Sequence, residues 1–496
     1  MRVLKSLFAA AVVVGVSACP AVDVSLPTPL DRFYFPTAIA HLDNPSGPDG
    51  GNGLLMVAST DFDKRFAAGS LIAINLDTLS PPLPPFGSTP SSPVVQLPMI
   101  RSAPLGPDGG SPDAVLIAPF AGQMAALPLG ADRFRLFVPT RSERQRVHAV
   151  DLSVGANGAL SLTCFNSTDR DCGANATSLT TFEQTETSVP RAPGAFGVAL
   201  RSRACSTASD CGSDPAEYVC RQALCVSTPR DGGAQEPAVD VLVTHITQAD
   251  SPLGSTTNPR GYLVKLPSES MQVTTQSFID LGVGATHAVA VGSRWNFVSG
   301  RFLNPLGNLI RMVDTTSGGT LSSGLESVFR VSESRGIALS SDERRVYLLG
   351  RSPDALLVAS IDDPKSETPK LQIVRGNPLP ETPNEVVVLA RPGRGDLLAI
   401  TCTNAGVIAL YDDDVGDVVV QIPGVGIQPF GLTVARRGDG ARLYTTNFQD
   451  GRVAVIDIPD LAQPQSARLV AHLGRQQLCL IRASDPSCAT DGGVAP

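Results

Sequence analysis

The stretch from Gln428 to Leu473 constrains the fold more than any other part of the chain. It reads Pro429-Phe430-Gly431-Leu432-Thr433-Val434, a Gly438-Asp439-Gly440 turn, Leu443-Tyr444-Thr445-Thr446-Asn447, a second turn at Asp450-Gly451, Val453 to Ile458, and an apolar run from Arg468 to Leu473. β-Branched and aromatic residues suit a pleated surface, and Gly and Asp suit the reversals between strands. Four short strands joined by turns make an antiparallel meander.

The pattern recurs upstream. Segments shaped like Pro429 to Thr433 begin at Pro36, Pro112, Ala195, Thr286, Ser334 and Pro383. With Ile39, Val115, Val198, Val289, Ile337, Val386 and Leu432 as markers, the steps are 76, 83, 91, 48, 49 and 46 residues. The last three match a four-stranded unit, and the first three hold a unit plus an insertion. Second and third strands follow each marker: Leu54–Ser59 and Ser70–Leu76, Phe134–Pro139 and Val147–Leu152, Val239–Ile246 and Gly261–Leu266, Trp295–Ser299 and Leu309–Asp314, Arg345–Leu349 and Leu356–Ile361, Asp396–Thr401 and Val407–Tyr411. Many of these runs are apolar on both faces, as stacked sheets require. The expected fold is all-β: a β-propeller of seven blades with four antiparallel strands each, the irregular steps leaving six or eight as alternatives. The 46 Gly and 41 Pro residues supply the turns, and 496 residues exceed one ordinary core but suit a radial repeat.

Leu443-Tyr444-Thr445-Thr446-Asn447 followed by Val453-Ala454-Val455-Ile456-Asp457 resembles the YVTN or lactonase-like β-propellers of bacterial envelopes. The resemblance covers residues 31–474 in outline and leaves 475–496 as a C-terminal tail.

The N-terminus is a targeting signal. Arg2 and Lys5 precede an apolar run from Leu7 to Val16, too short to span a bilayer. The segment ends Val16-Ser17-Ala18-Cys19, which resembles the lipobox of bacterial lipoproteins. In that family residues 1–18 are removed and Cys19 carries the lipid; 19–30 then read as a tether. Pro20 in place of Asp favours the outer membrane. Removal of Arg2 and Lys5 takes the formal charge from −8 to about −10. Such a surface repels phosphate backbones, so nucleic acid is not an expected partner.

Local cysteine pairs in an exported chain suit disulfides. Cys164 with Cys172 and Cys479 with Cys488 are the close pairs, and Cys205, Cys211, Cys220 and Cys225 form a cluster whose connectivity stays open. Cys402 is expected as a buried thiol. Insertions fall at about 165–192, before the inner strand of blade three, and at 203–236, between that blade's first two strands.

The sequence has no Gly-x-Ser-x-Gly elbow, no His-Glu-x-x-His helix and no phosphate-cradling loop, and neither a cofactor nor a metal is expected. Asp412-Asp413-Asp414 with Asp417 reads as a solvated outer turn without the ligand spacing of a calcium loop. Candidate binding residues come from aligning the blades. Thr37, Asp113, Phe196, His287, Arg335, Asn384 and Phe430 occupy one repeated position, and Arg141, Arg301 and Arg351 follow second strands. Such positions converge on one mouth of the central channel. Arg and His gathered there by an acidic chain suit an anionic small ligand or an acidic peptide. The expected function is a non-catalytic, lipid-anchored binding or scaffold protein for another envelope component. The alternative is a lactonase-like hydrolase or redox propeller, for which His287 with Asp113 or Arg335 is the only acid–base pair the sequence suggests.

Overall fold

Each of the seven repeats forms a four-stranded antiparallel sheet in the computed structural model. It describes residues 26–44, 47, 51–88, 94–97, 112–130, 132–141, 146–179, 194–203, 218–221, 224–227, 237–247, 260–300, 309–315, 317–323, 325 and 333–476. Blades three to seven take their strands in chain order, their innermost strands being Val198–Ser202, Thr286–Val291, Glu333–Leu339, Pro383–Leu389 and Pro429–Arg437. The second and third strands lie where the sequence places them in all seven blades, and most are buried along their whole length.

Two assignments in the first half are corrected. Ala114–Ile117 is the outermost strand of blade one and not the innermost of blade two. Blade two instead begins at Ala125–Pro128, with Ala121 already bridged to Thr140 on its second strand. The Pro112 segment misled because its Ala-Val-Leu-Ile run is equally apolar, and periodicity cannot separate an inner from an outer strand. The second correction concerns the excursion between Gly69–Asn75 and Ala114–Ile117. It carries Val95–Leu97 across to blade seven, where this strand pairs in parallel with Arg468–Leu473 as a fifth strand.

The insertions are partly described. Cys164 and Cys172 are joined by a disulfide, and Leu160–Cys164 and Thr177–Ser178 both pair with the third strand of blade two. In the second insertion Tyr218–Arg221 and Leu224–Ser227 form a hairpin, and Cys220 and Cys225 each take part in a disulfide. Cys402 is a buried free thiol. Cys19, Cys205, Cys211, Cys479 and Cys488 lie outside the described residues.

The innermost strands share one irregularity that fixes both blade stacking and the site. Their pairing with the second strand slips at Pro36/Ala38, Thr286/Val289, Ser334/Ile337, Pro383/Val386 and Pro429/Leu432. Such a bulge re-aims a side chain and withdraws backbone groups from the ladder. Hydroxyls on the second strand take up these groups. Thr244, Ser299, Thr401 and Thr446 accept from the N–H of Gly197, Ala288, Glu385 and Gly431 at 2.8–3.0 Å. The same hydroxyls donate to the next blade's inner carbonyl: to His287, Arg335, Phe430 and Thr37. Blade five has Leu349 at this register and lacks the link. Glycine suits the bulge because a Cβ at Gly431 would stand 2.2 Å from the Thr37 carbonyl oxygen.

Closure between blades seven and one uses further side chains. Arg442 is fully buried and binds both oxygens of buried Asp457 at 2.6 and 3.0 Å. It also donates to Asn52 Oδ1 at 2.8 Å and to the Pro84 carbonyl at 2.9 Å, both from blade one. Asp457 accepts the Gly87 N–H from the same excursion at 3.0 Å. Removing one partner of a buried ion pair leaves an uncompensated charge. Arg442→Met should therefore destabilise the chain by about 3–5 kcal/mol. Breaking the exposed Arg32–Asp31 pair by Arg32→Met should cost less than about 1 kcal/mol. Denaturant titration of both variants checks this, and equal losses would show that closure does not depend on Arg442.

Candidate functional site

Three structural positions, repeated around the ring, build one mouth of the central channel. The first is the residue at the inner-strand bulge: Thr37, Ala121, Phe196, His287, Arg335, Asn384 and Phe430 in blades one to seven. The second is the residue that leaves the second strand, namely Thr60, Arg141, Thr403 and Phe448 in blades one, two, six and seven. The third precedes the bulge residue by two positions at Phe35, Thr382 and Gln428 and by one at Phe120. In these four blades the second position donates its N–H to the third position's carbonyl: Thr60 to Phe35, Arg141 to Phe120, Thr403 to Thr382 and Phe448 to Gln428, at 2.8–3.2 Å. Thr60, Arg141, Thr403 and Phe448 all line the mouth, and of their partners Phe120 and Gln428 do so.

The third position requires a left-handed backbone. Phe35, Phe120, Thr382 and Gln428 have φ of 46°, 61°, 62° and 59°. Blade three uses Gly194 in this turn. A bulky non-glycine residue at positive φ is uncommon, and each such residue costs on the order of 1–3 kcal/mol. Phe120 and Gln428 line the channel mouth, and the Phe35 ring packs against Phe62 at 6.0 Å and Phe448 at 5.0 Å.

The resulting cavity has a volume of about 430 Å³. Its wall is a run of aromatic contacts: Phe120 to Phe62 at 5.9 Å, Phe62 to Phe448 at 5.3 Å, Phe448 to Phe430 at 6.1 Å, and Phe430 to Phe196 at 6.3 Å. Phe62 is 55 % exposed, an aromatic side chain held at the rim. Arg141, Arg335 and Arg351 also line the cavity. The Arg141 guanidinium lies 4.2 Å over the Phe196 ring. Arg351 donates Nε to the Pro383 carbonyl at 2.9 Å and Nη2 to Asn384 Oδ1 at 3.2 Å, which holds its guanidinium in place at the cavity wall. Arg335 pairs with Glu333 on its own strand. Three guanidiniums thus gather at this one mouth, within a chain of formal charge −8.

Of the residues expected at the mouth, Arg141, Arg335, Arg351 and Asn384 line the cavity, together with Thr37, Phe196 and Phe430. His287 is fully buried behind it and stacks on Phe196 at 4.1 Å. Asp113 does not belong to the mouth. It is buried beside the outermost strand of blade one, with its carbonyl accepting the Ala73 N–H, so the His287–Asp113 pair is not assembled. Arg301 lies outside the described residues. The sequence reading missed Phe62, Phe120 and Phe448. The signal was a phenylalanine flanking the inner or second strand of blades one, two and seven, which only the corrected blade-two boundary aligns.

The aspartate cluster is also corrected. Asp412 and Asp413 are buried, not solvated. Arg391 binds both oxygens of Asp412 at 2.6 and 2.8 Å and holds its carboxyl below the ordinary value. Asp413 pairs with Arg345 and Arg375 from blade five. These contacts tie blades five and six together. Among the described residues no three His, Cys, Asp or Glu side chains gather as a metal site.

No family model matches the sequence, and no curated protein matches it at a significant level. Among solved structures the chain is similar to "Dihydro-heme d1 dehydrogenase NirN in complex with DHE", with 13% identity and a TM-score of 0.39 over 82% of this chain and 61% of that one. The chain thus spans about three fifths of NirN. It is also similar to apo AztD from Citrobacter koseri, with 11% identity and a TM-score of 0.37 over 74% of this chain and 90% of that one. For Sqt1 from Chaetomium thermophilum the values are 12%, 0.46, 91% and 90%. The seven four-stranded antiparallel blades themselves put this fold in the class of seven-bladed β-propellers.

Burial pushes the Cys402 thiol up to about 12. A thiol that stays protonated is a poor nucleophile. Peptide mapping after alkylation at neutral pH should find Cys402 unmodified in the native chain and fully modified in denaturant. Modification of the native chain at Cys402 would show that this strand opens.

Proposed function

We propose that this chain is a lipid-anchored, non-catalytic binding propeller of the cell envelope, recognising at its channel mouth an anionic ligand with a flat apolar body. That ligand is a free small molecule or an exposed group of another envelope component. The observation that carries this reading is the aromatic wall bearing three arginines, one of its phenylalanines, Phe120, being kept in the left-handed region. Aromatic faces hold an apolar body, and guanidiniums hold a carboxylate or phosphate. A cavity of this size is in the range of small-molecule sites. The separation of Asp113 from His287 removes one of the two acid–base pairs offered for the hydrolase reading, and the other, His287 with Arg335, has Arg335 ion-paired with Glu333.

Support for the location comes from chemistry. The Cys164–Cys172 disulfide suits an oxidising compartment. The lipobox-like segment ending at Cys19 supplies an anchor, and among the described residues no helix is long and apolar enough to cross a membrane.

A small aromatic carboxylate, 3-phenylpropionate, tests the mouth. Charge-assisted hydrogen bonds contribute roughly 1.5–3 kcal/mol, so Arg141→Ala and Arg351→Ala should each weaken binding by about tenfold or more. Ligand-observed NMR measures the change. Unchanged affinity in both variants would retire the site. For the anchor, Cys19→Ala should move the protein from the membrane pellet to the soluble fraction after a carbonate wash, and a variant that still pellets would exclude lipid as the anchor.

A further inference from the structure

The N-terminal end of the described chain is stitched to the rim of the channel mouth. Thr60 leaves the second strand of blade one at the cavity, and residues 61–68 lead from it to the third strand. Leu26 pairs in parallel with Phe66 of this loop, donating its N–H to the Arg65 carbonyl at 3.1 Å and accepting the Ala67 N–H at 3.0 Å. Thr28 Oγ1 donates to the Ala68 carbonyl at 2.9 Å and accepts the Ala68 N–H at 3.1 Å. Tyr34 holds the loop as well, its hydroxyl donating to Asp63 at 2.6 Å and its ring meeting Phe66 at 4.5 Å. The chain at Leu26 therefore enters on the face that carries the mouth.

That placement limits where Cys19 can stand. Seven residue steps separate it from Leu26. A chain extends at most about 3.6 Å per residue, so the two are no more than about 25 Å apart. Gly440–Asn447 runs from the opposite face to the mouth, and at roughly 3.3 Å per step such a strand spans about 23 Å. An anchor beneath the opposite face would use up the whole tether along the wall of the ring. One beside the mouth needs little of it.

The chemistry of this face agrees with the tether. Among the described residues six large apolar side chains are exposed, and three of them, Leu26, Phe62 and Ile427, stand here. Phe62 lies in the loop that pairs with Leu26 and meets Phe448 at 5.3 Å. The Ile427 carbonyl accepts the N–H of Gln449, the residue after Phe448, at 3.3 Å. Exposed Lys64 lies 5.9 Å over the ring of Phe120, which lines the mouth with Arg141, Arg335 and Arg351. Against these cations stand Asp63 and Glu333, paired with Arg65 and Arg335, and the exposed Glu381. Exposed apolar groups gathered on one face mark a contact surface, and a bilayer interface takes up Phe and Leu side chains that have cations beside them.

We propose that the mouth-bearing face rests on the membrane that holds the anchor, with Leu26, Phe62 and Ile427 entering its interfacial layer. This rests on lipid at Cys19. The channel mouth then opens onto the headgroup layer, and the opposite face stands away from the bilayer. Val415 marks that opposite face. It is exposed in the turn between the third and fourth strands of blade six, and strand direction alternates, so this turn lies at the end of the blade remote from Thr403 and the mouth.

The test uses the lipidated full chain in vesicles of phosphatidylcholine and phosphatidylglycerol whose acyl chains carry bromine, a contact quencher of indole. Trp295, the one native tryptophan, is buried and bonded to the Ser366 carbonyl at 2.9 Å, so it contributes the same background to every variant. Phe62→Trp should lose emission relative to vesicles without bromine, and Val415→Trp should not. Both positions are exposed, so neither substitution disturbs the core. Flotation with the vesicles reports the anchor separately. Chains that float but show no loss at Phe62→Trp, or a loss as large at Val415→Trp, overturn the proposal and leave the anchor reading intact. A chain that does not float refutes the anchor and the orientation with it.

Discussion

The ring depends on a closure made by side chains and one borrowed parallel strand, not by a blade whose four antiparallel strands come from both ends of the described chain. All four strands of blade one come from the N-terminal part of the described chain and all four antiparallel strands of blade seven from its end. Arg442 therefore meets Asn52 across 390 residues of sequence. A guanidinium taken wholly out of water loses several kcal/mol of solvation, recovered only if its donors are all met in good geometry. Asp457, Asn52 and the Pro84 carbonyl meet them, so the pair is favourable only when the blades are in register. The apolar contribution lies alongside: Leu55, Val57 and Ile74 of blade one share a core with Tyr444, Val455 and Val470 of blade seven.

Closure also controls the edge. The outermost strand of the last blade would offer a row of unpaired backbone groups, a template for pairing with other chains. Val95–Leu97 covers part of that row, and Arg452 fixes it further through Gln96 at 2.9 Å. The same polypeptide excursion that supplies Gly87 to Asp457 thus seals the ring and blunts its edge.

Stacking and recognition draw on one device. The bulge that offers an N–H to Thr446 or Thr401, and a carbonyl to the hydroxyl of the preceding blade, is also what turns Phe430 and Asn384 toward the axis. A blade can vary the bulge residue freely because the stacking bonds use backbone groups. This is how a ring built on one scheme comes to carry Thr, Ala, Phe, His, Arg, Asn and Phe at equivalent points.

Periodicity in the sequence was enough for the blade unit, its repetition and the second and third strands, because two-sided burial and turn chemistry are local properties of Leu443 to Ile458 and its counterparts. It also located the bulge position in six blades. The ambiguity lay wherever two apolar runs compete for one place. Ala114–Ile117 and Ala125–Pro128 are alike in composition, and only hydrogen-bond pairing assigns the first to the rim of blade one and the second to the axis. Asp113 was misplaced for that reason, and Phe120 was overlooked with it. The aspartate run from Asp412 to Asp414 gave no local hint of burial, since its partners Arg345, Arg375 and Arg391 come from other strands. Residue chemistry is written in the chain, whereas the pairing of a buried charge and the convergence of seven separate positions on one cavity depend on distances between segments far apart in sequence, which only the folded ring fixes.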